Sequence, residues 1–508
     1  MVIVQGDAVG TIPVRLLGRR HVGLIASDNL IGVVKQFSHP VPMTKSQNKS
    51  SVAQPDSRGV KNLREASDWL LQRGIEDIEC ITPDLAGVVR GKMMPSAKFV
   101  SASALALPSS VFMQTISGEY PEESDMFTYP ETDGDLRLLP DLATLTAVPW
   151  ETDPTAQVIC DMATHNDLDV AYTPRTVLRN VLSAYAERGW KPVVAPEIEF
   201  YLVKTNEDPD IPLTPPVGRS GRAIAGGNAY SIAGINEFDE LIDDIYDYST
   251  AQGLEIETLI HEEGAAQLEI NLNHGDPIAL ADQVFLFKRT IREAALKHGM
   301  YATFMAKPIQ GQPGSAMHIH QSVVDLENGD NIFTNKDGSE SALFRSFLGG
   351  MQHYLPKTLC MMAPYVNSYR RLTTHTSAPV NVQWGYDNRT SGLRIPTSEP
   401  VARRVENRIP SSDANPYLAI AASLACGYLG MTQNIVPESP VTTTANEGVI
   451  DLPRGLLDAV YLFEREEALR PILGEEFVGV YAAIKKAEFE TFMKVISPWE
   501  REYLLLNV

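Results

Sequence analysis

The chain is 508 residues long, 44% hydrophobic and 21% charged, with a formal net charge of −21. That length supports two or three domains with sizeable cores, and that acidity argues against a nucleic-acid or anionic-membrane surface, since both need clustered Lys and Arg. Four scattered cysteines without a C-x-x-C pair argue against a disulfide framework or a zinc site and fit a reducing cytoplasm.

Residues 1–60 are expected to be a poorly ordered extension. Residues 1–42 lack a signal peptide's charge pattern, apolar run and cleavage site, and are expected to add nothing to catalysis, while 43–60 are polar. Residues 62–75 predict a helix with Leu63, Ala66, Trp69 and Leu70 on one face. Alternating runs over Ile75–Thr82, Gly87–Met93 and Asp135–Trp150 predict strands, giving a small α+β domain over 61–168. A helix over Thr176–Arg188 then opens a larger domain, 169–508, in which 205–227 reads as a surface loop and Ala414–Gly430 as a buried helix. No run approaches the length of a transmembrane span.

The chemistry sits in three strand-like segments. Val193–Leu202 alternates so that Glu197 and Glu199 share a face. Two carboxylates so placed repel each other unless a cation lies between them; alone, such a pair reads more readily as a solvated strand face. The pattern returns after Glu262 and Glu263, where Gln267, Glu269 and Asn271 align, and again at His318, His320 and Ser322. Arg403-Arg404-Val405-Glu406-Asn407-Arg408 mixes both signs just ahead of a predicted helix, and by itself fits a surface ion-pair network as well. Together these residues form a Glu-rich, His-poor set suited to Mg²⁺ or Mn²⁺ rather than zinc. Metals flanked by arginines suit phosphoryl transfer. The sequence has no G-x-x-x-x-G-K-[ST] loop, so an ATP site here is not of the P-loop kind.

These segments occur in order with Arg90-Gly91-Lys92, Leu139-Pro140-Asp141, Pro196-Glu197-Ile198-Glu199-Phe200, Lys307-Pro308, Asn367-Ser368-Tyr369-Arg370-Arg371, Asn388-Arg389, Arg394-Ile395-Pro396 and Asn415-Pro416-Tyr417. In this the chain resembles class I glutamine synthetases over residues 62–508. The resemblance implies an α+β protein: a β-grasp-like N-terminal domain, then a catalytic domain built on an antiparallel sheet saddle with surrounding helices. It implies Glu199, Glu262 and Glu269 as ligands of one metal, and Glu197, His318 and Glu406 as ligands of a second. It places His320, Ser322, Arg394 and Arg404 at ATP, Arg371, Arg408 and Gly314 at glutamate, and Arg389 at the transferring phosphoryl group, with Arg408 and Glu406 also in the catalytic set. The implied reaction is attack of the glutamate γ-carboxylate on ATP, then displacement of phosphate from γ-glutamyl phosphate by an amine. A cytoplasmic homododecamer of two hexameric rings is the implied assembly, each site completed by a neighbour's N-terminal domain.

Two departures bear on the amine. Ser377 stands where ammonia-using members carry a glutamate, and Ser109–Gly118 holds no acidic residue where they carry an aspartate. A pocket that desolvates ammonium needs nearby carboxylates, so this one suits a carbon-bearing amine. Trp384–Thr390, Pro313–His320 and Gly264–Asn271 resemble the γ-glutamylputrescine (γ-glutamylpolyamine) synthetase branch of polyamine catabolism. His375 is a candidate to deprotonate the amine, or a loop surface residue. The acidic run from Glu119 through Glu122, Glu123 and Asp125 is a candidate for a distal ammonium, or a solvated loop. Pro313 replaces a glutamate-contacting asparagine. The competing readings are an ammonia-dependent glutamine synthetase, a ligase for a monoamine or ethanolamine, and a non-catalytic scaffold, the last opposed by the intact ligand set.

Overall fold

A computed structural model describes residues 58–101, 105–124, 126–373, 378–445 and 451–508. Residues 1–57, with the readings placed on them, lie outside that set. The predicted first helix forms over Leu63–Gln72, capped by the Asn62 side chain, with Ala66, Trp69 and Leu70 buried. An antiparallel pair follows, β1 (Asp77–Pro83) and β2 (Val89–Pro95). A Cβ at Gly91 would lie 2.0 Å from the Cys80 carbonyl oxygen, so only glycine lets the strands approach here. Strands β3 (Leu105–Pro108), β4 (Asp135–Pro140), β5 (Thr146–Ala147) and β6 (Thr155–Ala163) complete a six-stranded sheet. Its order is β2-β1-β6-β4-β3, with β5 on β6. The β1–β6 pair is parallel and the others antiparallel. Strand β6 is buried along nearly all its length. It alternates Thr155, Gln157 and Asp161 with Ala156, Val158, Cys160 and Met162, a period-two pattern that lies beyond the last predicted run, which ends at Trp150.

The second sheet has eight strands: β7 (Trp190–Lys204), β8 (Thr258–His261), β9 (Gln267–Asn271), β10 (Met300–Thr303), β11 (Met317–Asp325), β12 (Trp384–Tyr386), β13 (Leu393–Ile395) and β14 (Val405–Asn407). Its order is β12-β13-β14-β11-β7-β9-β8, with β10 also on β7. Every pair is antiparallel except β12–β13. The 15-residue β7 is the spine, pairing β11 on one side and β9 on the other.

Helices Pro174–Ala186, Pro277–Lys297, Ala342–Met362 and Pro416–Gln433 pack around this sheet. Three begin with proline in the first turn, and Asp276 and Asn415 cap two of them through side-chain oxygens. The predicted buried helix forms over Pro416–Gln433. A Cβ at Gly350 would meet Gly430 Cα at 2.4 Å, so paired glycines let it press against helix Ala342–Met362. Buried Arg175 joins the two sheets' layers by pairing with Asp141, Asp161 and Asp282. Residues 205–227 form neither helix nor named strand. The whole is mixed α+β. Among the described residues, no helix is long and apolar enough to cross a membrane.

Candidate metal and phosphate site

Strand register gathers the acidic residues. Glu197 on β7 lies opposite His318 on β11 and Asn271 on β9, while Glu199 lies opposite Glu269. Glu406 on β14 lies opposite His320. Adjacent strands thus turn one polar face toward a common point. Two groups have ligand atoms all within 4.8 Å of one another: Glu197, His318 and Glu406, and Glu199, Glu269 and His318. All of these except Glu197 are buried. Glu262, just past β8, belongs to neither tight group, although its charge acts on both Glu199 and Glu269.

The two groups differ electrically. Burial, then the neighbouring Glu262 carboxylate, pushes Glu199 up to about 8 against the pull of Arg371 and Arg408. Burial and the surrounding Glu197, Glu199 and Glu262 raise Glu269 well above the carboxylate range, and Glu262 rises chiefly through burial. Glu199 Oε2 accepts from Gln267 Nε2 at 3.0 Å and the Ala316 amide at 2.9 Å, and Glu269 Oε1 accepts from Asn271 Nδ2 at 3.1 Å. These few donors leave converging carboxylates that compete for a positive partner. Such an oxygen set fits a hard divalent cation.

In the second group the balance reverses. Burial opposes ionisation of Glu406, but Arg408, His318 and His320 outweigh it and hold the carboxyl at about 2. Hydrogen bonds from His318 and His320 likewise outweigh burial at Glu197 and lower it. Burial and Arg408 bring His318 down to about 4, which leaves a neutral imidazole at neutral pH, the form that ligates metals.

The arginines ring this face. Arg394 donates to Glu406 Oε2 at 2.7 Å and to Asp387 at 2.6 Å. Arg408 donates to Glu406 Oε1 through one terminal nitrogen, while its Nε is buried without a hydrogen-bond partner. Arg404 Nε lies 3.2 Å from His320 Nδ1. Buried Arg371 donates to the carbonyls of Ile409 at 2.8 Å and Arg408 at 2.9 Å, so part of its fork is engaged within the protein. Gly314 packs against the Arg371 side chain. Arg389 is exposed, and its charge partly offsets the rise of Glu262. Ser322 is half-buried on the His320 side of β11.

His375 and Ser377 lie outside the described residues, as does Asp125. Ser109–Met113 forms a short 3₁₀ turn, and the Ile116 amide donates to Glu488 at 2.8 Å. Within the acidic run, Glu119 accepts from Thr491 at 2.7 Å and Glu123 from the Tyr129 amide at 2.9 Å. Neither belongs to the metal-type groups. The segment Arg403–Arg408, expected just before a helix, instead supplies β14, and the helix begins at Pro416. Sequence reasoning gave no role to Asp387, because no periodicity links it to Arg394 across the intervening turn. Gln267 and Asn271 were visible on the right face but not as the partners of Glu199 and Glu269.

A family described as the catalytic domain of glutamine synthetase matches residues 171–504. A glutamate–isopropylamine ligase of Pseudomonas sp. is 33% identical over 450 residues, covering 87% of this chain and 97% of its own. The γ-glutamylputrescine synthetase PuuA of Escherichia coli K12 is 34% identical over 437 residues, covering 85% and 92%. The solved structure of a GmaS/ADP complex superposes with a TM-score of 0.73 at 27% identity, covering 88% of this chain and all of that one. With that match and those relatives, the chain belongs to the glutamine synthetase family and is a carbon–nitrogen ligase.

Proposed function

We propose that the protein joins the γ-carboxyl of glutamate to an amino group of putrescine or a related polyamine, at the expense of ATP and through γ-glutamyl phosphate. The observation that carries the ligase chemistry is the pair of carboxylate groups on one sheet face with arginines around them. In this reading Glu199, Glu262 and Glu269 hold one divalent cation, Mg²⁺ or Mn²⁺, and Glu197, His318 and Glu406 hold another. Bound cations supply charge neutralisation for the phosphate oxygens. His320, Ser322, Arg394 and Arg404 orient the nucleotide, and exposed Arg389 is free to meet the transferring phosphoryl group. The unpartnered Nε of Arg408 and the remaining donors of Arg371 receive a glutamate carboxylate beside Gly314. Most of the rate gain comes from orientation and preorganised charge.

The choice of amine rests on the acid-free Ser109–Gly118 segment and on Ser377. Putrescine as substrate fits polyamine catabolism, and the family resemblance adds to the proposal a two-ring homododecamer in the cytoplasm with domains at 61–168 and 169–508. A monoamine is the second reading, favoured by the similarity to an isopropylamine ligase. ADP release measured with glutamate, ATP and Mg²⁺ separates these. A rate that depends on putrescine, cadaverine, spermidine or spermine supports the first reading, and one confined to isopropylamine or ethanolamine supports the second. A rate driven by ammonium overturns both.

A further inference from the structure

Asp413 and Ala414 border a cavity of about 390 Å³ that is lined by none of the metal-type residues or phosphate-site arginines, although Ile116 of the Ser109–Gly118 segment reaches its wall. Helix Pro277–Lys297 lines it with Phe285, Lys288 and Arg292, spaced so that they share a helical face. Lys288 is buried, and its Nζ donates to the carbonyls of Ser412 at 2.6 Å and Ala414 at 2.8 Å. An ammonium has three protons, so one donor remains. Arg292 sits at the surface, its guanidinium 5.0 Å from the Phe304 ring centroid, with no hydrogen bond or salt bridge among the described residues. Facing these cations is Asp413. Its Oδ2 accepts from Ser368 at 2.9 Å, and its buried Oδ1 makes no well-formed hydrogen bond, although the Ala306 backbone and the charges of Lys288 and Arg371 also act on the carboxylate. Phe285, Phe304 and Met305 supply apolar wall.

Two cations with spare donors, one carboxylate oxygen without a well-formed hydrogen bond, and aromatic walls specify a ligand by complementarity. The cations call for an anionic group, the Asp413 oxygen for an N–H or O–H close to that group, and the walls for a hydrocarbon side chain. We propose that this cavity binds a small α-amino or α-hydroxy carboxylate with an apolar side chain, its carboxylate held by Lys288 and Arg292 and its α-donor by Asp413. Burial pushes Asp413 up to about 6 and Lys288 down to about 7, as expected of two charges that lack full partners. The site also has a mechanical connection to the active face. Ser412 donates through its hydroxyl to the Glu199 carbonyl and through its amide to Ser315 at 3.0 Å, so the loop touched by the ligand also supports Glu199. A ligand in the cavity therefore bears on the metal-type site without entering it.

The test is isothermal titration calorimetry of the full chain under saturating glutamate, which blocks the substrate subsite. The probes are L-leucine, L-2-hydroxy-4-methylpentanoate, isovalerate and L-leucinol. The proposal expects at least one of the first two to bind, with isovalerate (no α-donor) and leucinol (no carboxylate) at least tenfold weaker. Preference for leucine identifies an amine as the donor to Asp413, and preference for the hydroxy acid identifies a hydroxyl. Arg292→Ala, a surface change, should weaken binding at least tenfold while the KM for glutamate stays as in the native protein. Absence of binding by both acids, displacement by glutamate, or indifference to Arg292→Ala overturns the proposal.

Discussion

Gly314→Ala tests the architecture of the proposed glutamate subsite with a single methyl group. A Cβ at Gly314 would lie 2.6 Å from Arg371 Cγ, 2.9 Å from Arg371 Cβ and 2.7 Å from the Ala306 carbonyl oxygen, all inside the 3.4 Å at which ordinary contact begins. Neither neighbour yields freely. The Ala306 oxygen accepts the Ser315 amide at 2.8 Å, and the Arg371 head is bonded to the carbonyls of Arg408 and Ile409. Relief must come from moving Arg371 or from moving residues 314–316. Those residues include the Gly314 carbonyl that accepts from Gln267 and the Ala316 amide that donates to Glu199. Overpacking of this kind costs about 1–3 kcal/mol. Expressed in transition-state binding, that cost lowers kcat/KM for glutamate roughly 5- to 160-fold. The assay is steady-state ADP release against glutamate, with a thermal melt to show that the variant is folded. Gly275→Ala, whose Cβ meets nothing closer than 3.7 Å, is the control and should stay within about twofold. A folded Gly314→Ala enzyme with native kcat/KM would refute the argument that this glycine fixes Arg371.

Three further outcomes are expected. Glu269→Gln should lower kcat at least about 100-fold and shrink the rise in Tm that Mn²⁺ gives the native protein, whereas Glu263→Gln, at an exposed neighbour, should change neither; equal effects would remove Glu269 from the ligand set. Glu488→Ala strands buried Lys485, whose Nζ it accepts at 2.7 Å, and releases the Ile116 amide. Chemical denaturation should show a loss of roughly 3–5 kcal/mol, mostly recovered in Lys485→Met/Glu488→Leu, and a loss of under about 1 kcal/mol would show that breaking the pair strands no buried charge. Lys288 has its pKa held at about 7 by burial, below its ordinary 10.5. Between those values the unfolded chain binds a proton that the folded chain has released, so stability rises with pH. The native protein should gain roughly 2–3 kcal/mol from pH 7 to pH 9 that Lys288→Met lacks, and parallel stability curves would place the titration elsewhere.

What the sequence revealed about this site follows from period-two geometry. Glu197 with Glu199, Glu269 with Gln267 and Asn271, and His318 with His320 each announced a polar strand face, because alternation is local and a strand cannot hide it. What it concealed is non-local or without period. Strand β6 alternates Thr155, Gln157 and Asp161 with apolar residues, but its polar side chains meet Gln252, Arg289 and Arg175 from distant segments, so its burial on both faces is not legible from the pattern. The hold on Arg371 comes from carbonyls 37 and 38 residues away, and backbone acceptors carry no side-chain signature. The three-residue β14 is too short for any pattern, so Glu406 showed only as one charge in a mixed run, and its place as a ligand came through the order of family motifs. The separation of Glu262 from the tight groups depends on where β8 ends rather than on the spacing of its residues.

The structure also explains how an amine preference can change without loss of the activation chemistry. Glu197, Glu199, Glu269 and His318 are fixed by strand pairing, where a shift of one residue would turn each of them to the opposite face. The departures in Ser109–Gly118 fall instead in a 3₁₀ turn and loop secured by Glu488 on helix Glu475–Met493. Loops of that kind accept substitution at little cost to the sheet. A nucleophile of different size and charge can therefore be accommodated by changing loop residues alone. The groups proposed to activate glutamate stay rigid because their positions are dictated by register, and the residues proposed to distinguish one amine from another are free to differ because theirs are not.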